Sequence, residues 1–170
     1  IQCPDYSFFV VDSGHYFQFN DNDRIHKFMR DRTPRDRKIV INGWFISHAH
    51  SDHISKMMDF LRYNCDDVII EGFYSNLIDP KYDVDGDWDI EEILLSEKLF
   101  RQLDGIDVPK YKLHSGMHFT VRNLSFDVMC THEDIFSHRM PDYNDSSCAV
   151  MMTVGTTKVL IPGDCSACAR

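Results

Sequence analysis

The chain lacks an excess of positive charge. It carries 18 Lys and Arg against 27 Asp and Glu, a net charge of −9 with neutral histidines. Non-specific nucleic-acid binders displace counterions from phosphates with Lys and Arg, so strong binding of that kind is not expected. A phosphodiester substrate stays open, because bound divalent cations can supply the positive charge that the side chains lack. No apolar run approaches the roughly 20 residues of a membrane span, so no membrane segment is expected. No basic stretch followed by an apolar one marks a signal peptide, which favours a cytoplasmic location. The chain opens at Ile1 rather than Met and closes at Arg170, just after a strand-like run. A domain incomplete at both ends is therefore the expectation. The cysteines form no framework: of Cys3, Cys65, Cys130, Cys148, Cys165 and Cys168, only the last two make a C-x-x-C. A zinc ribbon needs a second such pair, so these read as free or buried thiols. There is no internal repeat, low-complexity tract or linker.

What is present suits one soluble domain. A chain of 170 residues buries roughly 70% of its unfolded surface. Its 43% hydrophobic and 26% charged content lies near the globular norm, which argues against disorder. Ser7–Asp12 reads as a strand ending in the turn Asp12-Ser13-Gly14. Asp21–Arg32 reads as a helix with Ile25, Phe28 and Met29 on one face. Ile39–Ser47 is a nearly continuous apolar run of the kind found in a sheet covered on both faces; its Asn42-Gly43 is a turn or a bulge. Ile54–Tyr63 is a helix facing inward through Ile54, Met57, Met58 and Leu61. Val68–Tyr74 is a strand, and Asp79–Asp89 an acidic surface loop. Asp83, Asp85, Asp87 and Asp89 look faintly like a calcium loop, but Leu94 stands where its closing glutamate belongs. Trp88–Leu103 is a helix with Ile90, Ile93, Leu94, Phe100 and Leu103 at helical spacing, stopped by Asp104-Gly105. Tyr111–Leu113, His118–Val121, Leu124–Thr131, Cys148–Val154 and Lys158–Ile161 read as strands, the last two a hairpin. Trp44 and the methionines read as core, and Trp88 as the anchor of its helix start. The mixture defines one α/β (α+β) domain spanning residues 1–170.

Three of the nine histidines fall within the segment Ser47-His48-Ala49-His50-Ser51-Asp52-His53, between a buried strand and a helix. Protonated, these imidazoles repel one another; neutral and buried, each needs its own partner. A divalent cation removes both problems by binding imidazole nitrogens and the carboxylate. Alternate residues of an extended segment point the same way, so His48 and His50 can reach one metal. Asp52 and His53 can reach a second position.

His48, His50, Asp52 and His53 match the H-x-H-x-D-H signature, and here the chain resembles the metallo-β-lactamase-fold superfamily. The resemblance covers most of the chain and implies a four-layer αβ/βα sandwich whose C-terminal part is missing. It implies that Asp12, in the early Asp-Ser-Gly turn, supports the ligand loop. It implies that Asp164, in Leu160-Ile161-Pro162-Gly163-Asp164, bridges two metals. The third histidine is assigned to His132, with His138 as runner-up; His114 and His118 read as ordinary polar residues. Asn144 and Ser147 resemble the competence-protein (ComEC-related) branch, in which the third histidine is often not kept; as plain residues they mark a turn entering a strand. The family's last metal histidine would lie beyond Arg170.

The resemblance implies a metal-dependent hydrolase using a metal-bound hydroxide at a dinuclear site, with Asp52 orienting the nucleophile. Zinc ranks first; manganese or iron also suits imidazole–carboxylate sets. A phosphodiester substrate ranks first, an ester or thioester second and a β-lactam last. The alternative is a non-catalytic metal-binding or interaction domain of the same fold. A redox variant would need carboxylates in the metal set and a flavin; only Glu133 beside His132 points that way. The residues are silent on oligomeric state.

Overall fold

The apolar run Ile39–Ile46 (β2) is the strand around which the first sheet forms. Its burial pattern changes phase halfway. Ile39 and Ile41, then Trp44 and Ile46, face one core, while Phe45 faces another. A strict period of two would send Trp44 to the same face as Asn42. The phase changes because β2 is bulged: Phe8 of β1 (Phe8–Val11) pairs with Ile41, and Phe9 pairs with Gly43. Asn42 is the extra residue, so Asn42-Gly43 is a bulge and not a turn. Gly43 is required there, since a Cβ would lie 2.5 Å from the Phe9 ring and 2.9 Å from that of Tyr74.

The computed structural model describes residues 1–83, 86, 88–135, 140 and 142–165. His138, Cys168, Asp85 and Asp87 lie outside the described residues, and with them the runner-up ligand, the C-x-x-C pair and half of the acidic carboxylates. Four further segments pair in parallel with β2 or its neighbours. The expected strand Val68–Tyr74 is two short strands, β3 (Val68–Ile70) and β4 (Phe73–Ser75). They pair with the two halves of β2 and are interrupted opposite its bulge. β5 (Lys110–Lys112) completes the order β1-β2-β4-β5, with β3 beside β2. Helices α1 (Asp21–Arg30), α2 (Ser51–Tyr63) and α3 (Ile90–Asp104) share a core with one face of this sheet.

The second sheet is antiparallel, in the order β6 (His118–Val121), β7 (Leu124–Cys130), β8 (Ala149–Val154), β9 (Thr157–Ile161). Its alternating Leu124, Phe126, Val128, Val150 and Met152 meet Phe9, Phe45 and Leu113 of the first sheet in a second core. Phe9 and Phe126 lie 4.5 Å apart there, ring centre to ring centre. The layers are therefore helices, parallel sheet, antiparallel sheet. No helix among the described residues is long and apolar enough to cross a membrane. The cysteines Cys3, Cys65, Cys130, Cys148 and Cys165 are not disulfide-bonded.

Two helix faces differ from the sequence reading. In α3 the buried stripe is Ser96, Leu99 and Leu103, while Ile90 and Leu94 are 64% and 47% exposed. The stripe is set by packing against α2, to which Gln102 donates a hydrogen bond at the Met58 carbonyl (2.9 Å). In α1, Phe28 is half exposed; its ring meets Phe8 edge-on and lies under the Arg32 guanidinium. Trp44, Met57 and Met58 are buried as expected, whereas Met117 and Met129 are exposed; Trp88 is buried just before α3.

The bulge predicts an overpacking cost. Gly43→Ala is expected to destabilise the fold by about 1–3 kcal/mol, read as a lowered urea midpoint with an unchanged slope.

Candidate metal centre

Strand β2 ends beneath the histidine segment. Ser47 and His48 are fully buried, His50 occupies the position just before α2, and Asp52 and His53 stand in its first turn. Beside them β1 ends at Asp12, which has φ 48°. Backbone bonds hold Asp12 there: its N–H donates to the Phe45 carbonyl (2.9 Å), and its carbonyl accepts from the Trp44 indole (3.0 Å). Its carboxylate accepts from the Ser47 N–H and the Ser47 hydroxyl, both at 2.8 Å, and from His53 Nδ1 at 3.0 Å. Ser13 adds a hydroxyl bond to the His53 carbonyl (2.7 Å).

These contacts assign the tautomers. An ionised carboxylate only accepts, so His53 carries a proton on Nδ1. Its Nε2 then faces Asp164 Oδ2 at 3.4 Å and Asp52 Oδ2 at 3.7 Å. The Ser47 hydroxyl donates its one hydrogen to Asp12, so at 3.0 Å its oxygen accepts from His48 Nδ1. That leaves a lone pair on His48 Nε2, 3.1 Å from His50 Nδ1. The His48 and His53 rings are 4.2 Å apart.

The electrostatics follow. Burial first, then the neighbouring His53 and His50, push His48 down to about 4. Burial alone would lower His53 too. The hydrogen bond and charge of Asp12, with Asp52 and Asp164, outweigh it and raise its pKa. A cation is therefore favoured at His53 Nε2, among carboxylates, and disfavoured as a proton on His48.

Asp164 reaches this place from the second sheet. Its N–H donates to Ser147 Oγ (3.1 Å), and the Cys148 N–H donates to the Ser47 carbonyl (2.8 Å). Gly163, at φ 58°, leaves no room for a side chain: a Cβ would sit 2.8 Å from Ser147 Oγ and 3.0 Å from Ser47 Cβ. The end of β9 and the start of β8 thus press onto the end of β2. Asn144 takes part through its backbone carbonyl, which accepts the Ser147 N–H (3.0 Å). It belongs to the turn Tyr143–Ser146, as a plain turn reading has it, whereas Ser147 uses its side chain.

Among the described residues, His48, His53 and Asp164 form the group that could share an ion, with ligand atoms within 4.8 Å of one another. His50 adjoins it through His48, and Asp52 through His53. His132 is not in that group. It is buried near the end of β7, with Nδ1 3.1 Å from the Asn76 carbonyl. Burial lowers its pKa, against the Asn76 carbonyl and Glu133. His114 and His118 are exposed and pair with Glu133 and Asp127. Sequence reasoning missed Ser47, Ser13 and Tyr143, whose ring packs on His50 at 5.1 Å. Ser47 touches the motif and so was the one within reach; nothing local marks the other two.

The donors fit a divalent ion. Two nitrogens on a tetrahedral zinc, each at about 2.0–2.1 Å, lie roughly 3.3 Å apart. The 3.1 Å between His48 and His50 and the 3.4 Å between His53 and Asp164 match that spacing. The Nδ1 protons of His48 and His53 are both bound to oxygen, the arrangement that orients imidazole ligands.

Among the described residues, a helix-backed parallel sheet faced by an antiparallel sheet supplies three layers of the four-layer αβ/βα sandwich expected from the sequence. The crystal structure of the metallo-beta-lactamase fold protein YhfI from Bacillus subtilis is similar over 94% of this chain, with a TM-score of 0.53 and 16% identity. The chain has that fold, and spans about half (51%) of the length of YhfI. No family model and no curated protein matches the chain by sequence.

Two outcomes test the site. Asp12→Ala strands the Ser47 amide and the His53 Nδ1 proton, and is expected to cost about 2–4 kcal/mol in urea denaturation. Neutral, buried His48 makes the metal-free protein bind fewer protons than the unfolded chain between about 4 and 6.5. Its contribution to stability is complete above the unfolded value and is lost as pH falls toward about 4. His53 acts oppositely: its contribution is present below its ordinary value and lost as pH rises through the raised one. His48→Gln is expected to flatten the loss between pH 6.5 and 4 in EDTA, read from urea midpoints.

Proposed function

We propose that the chain is the metal-binding part of a metal-dependent hydrolase with a dinuclear site. His48 and His50 would hold one ion; Asp52, His53 and Asp164 would hold the second. The observation that carries this reading is the pair of donor contacts at 3.1 and 3.4 Å, with the Nδ1 protons of His48 and His53 held by Ser47 and Asp12. Zinc suits the imidazole-rich set best; manganese and iron remain in the same donor class. A bound divalent ion supplies a Lewis acid for a carbonyl or phosphoryl oxygen and lowers the pKa of a coordinated water.

The residues of the chain supply the rest. Asp12 and Ser47 fix the direction of both imidazoles, so no ring has to turn before binding. Asp52 would be the catalytic residue, orienting the nucleophile; its carboxylate is exposed and lies 3.7 Å from His53 Nε2. A phosphodiester ranks first as substrate because Asn144 and Ser147 resemble the competence-protein branch; an ester or thioester ranks second. The other reading is a non-catalytic metal-binding domain of the same fold, which the grouping of His48, His53 and Asp164 would serve equally.

The full-length protein is expected to hold about two divalent ions by elemental analysis. His50→Ala and Asp164→Ala should each reduce hydrolysis of a generic phosphodiester more than about 100-fold, beyond the range for outer residues. A full-length protein without bound metal contradicts the proposal. Metal without turnover of phosphodiester or ester supports the non-catalytic domain.

A further inference from the structure

Helix α2 begins without a cap of its own. The capping position is His50, whose side chain makes no hydrogen bond to the helix N-terminus. Its ring lies instead between His48 and Tyr143. An α-helix leaves its first N–H groups without intrahelical partners, and Ser, Thr, Asp or Asn usually serves them. A histidine turned toward other histidines cannot.

The missing acceptor comes from another helix. Glu92 Oε2 accepts the Ser51 N–H at 2.9 Å, and Glu92 Oε1 accepts the Ser51 hydroxyl at 2.9 Å. Both carboxylate oxygens thus hold the single residue between His50 and Asp52. Glu92 lies in the first turn of α3, on the stripe that continues through Ser96, Leu99 and Leu103. The N-terminal ends of α2 and α3 therefore converge on one carboxylate, which meets the positive end of each helix dipole. Neighbouring Glu91 is exposed and does not share the contact.

We propose that Glu92 is a positioning residue for the histidine turn. It caps α2 from outside and so frees the His50 side chain from capping. It also sets the direction in which Asp52 and His53 leave the turn. The effect on metal affinity rests on the metal-dependent reading above; the effect on the turn itself does not.

The test uses the full-length protein as wild type, Glu92→Ala, Glu92→Gln and Glu91→Ala. Hydrogen exchange of the Ser51 and His53 amides is measured without metal, and zinc affinity is measured by competition with a chelating dye. In Glu92→Ala these amides should exchange at least about tenfold faster and zinc should bind about tenfold more weakly, the low end for outer residues. Glu92→Gln, which keeps one acceptor oxygen, should recover part of both; Glu91→Ala should change neither. Unchanged exchange in Glu92→Ala overturns the proposal. Faster exchange with unaltered zinc affinity also overturns it, leaving a structural cap. A wild type that binds no zinc defeats the metal-dependent reading instead, and the exchange rates alone then decide for or against Glu92 as the residue that positions the turn.

Discussion

The candidate site depends on the carboxylate of Asp12. It accepts a backbone N–H, a hydroxyl and an imidazole N–H, at 2.8, 2.8 and 3.0 Å. An acceptor with no proton to give imposes direction on each donor around it. Ser47 must donate to Asp12 and so accepts from His48; His53 must present Nε2 outward. One charge thereby sets two tautomers and leaves nitrogen lone pairs facing the cluster. The left-handed backbone at Asp12 and the indole bond of Trp44 to its carbonyl keep that charge in place. Charged hydrogen bonds in a half-buried site are among the stronger polar interactions of a fold.

The second requirement is the meeting of two sheets. Asp164 follows the last strand of the antiparallel sheet, while His48 and His53 follow a strand of the parallel one. The apolar contact of Phe9 and Phe45 with Phe126, Val128 and Val150 supplies the driving force, because burial removes apolar area from water at about 25 cal/mol per Å². That force is non-directional, so polar contacts set the alignment. The Cys148 amide on the Ser47 carbonyl, the Asp164 amide on Ser147, and the close approach at Gly163 hold the edges together. Glu92 plays a corresponding part on the helical side, where α3 meets the start of α2.

Much of this was legible in the residues. The continuous run Ile39–Ile46 announced a strand buried on both faces, and Leu124–Cys130 alternated as a strand between core and solvent should. The histidine segment between a strand and a helix was visible because its ligand types are close in sequence. The faces of α1 and α3 were less legible. Phe28, Ile90 and Leu94 have the right periodicity, yet they are exposed because the position of each helix against its neighbours chooses the buried stripe. The interruption between β3 and β4 could not be seen, since its cause is a bulge in the partner strand. His132 had the right place along the chain; its Nδ1 is held 3.1 Å from the Asn76 carbonyl, and it is not in the tight group formed by His48, His53 and Asp164.

By itself the sequence determined the three helices, most of the strands, the histidine motif and the order in which Asp12, the motif and Asp164 occur. Those features are local: they follow from side-chain period, turn chemistry and residue type over a few positions. Only the tertiary structure decided which nitrogens carry protons, that Asp164 meets His53, and that Glu92 caps the helix beginning at Ser51. Each of these is a contact between elements distant along the chain. Its geometry is set by how bulged, packed layers come to rest on one another, and no local pattern of residues encodes a distance of that kind.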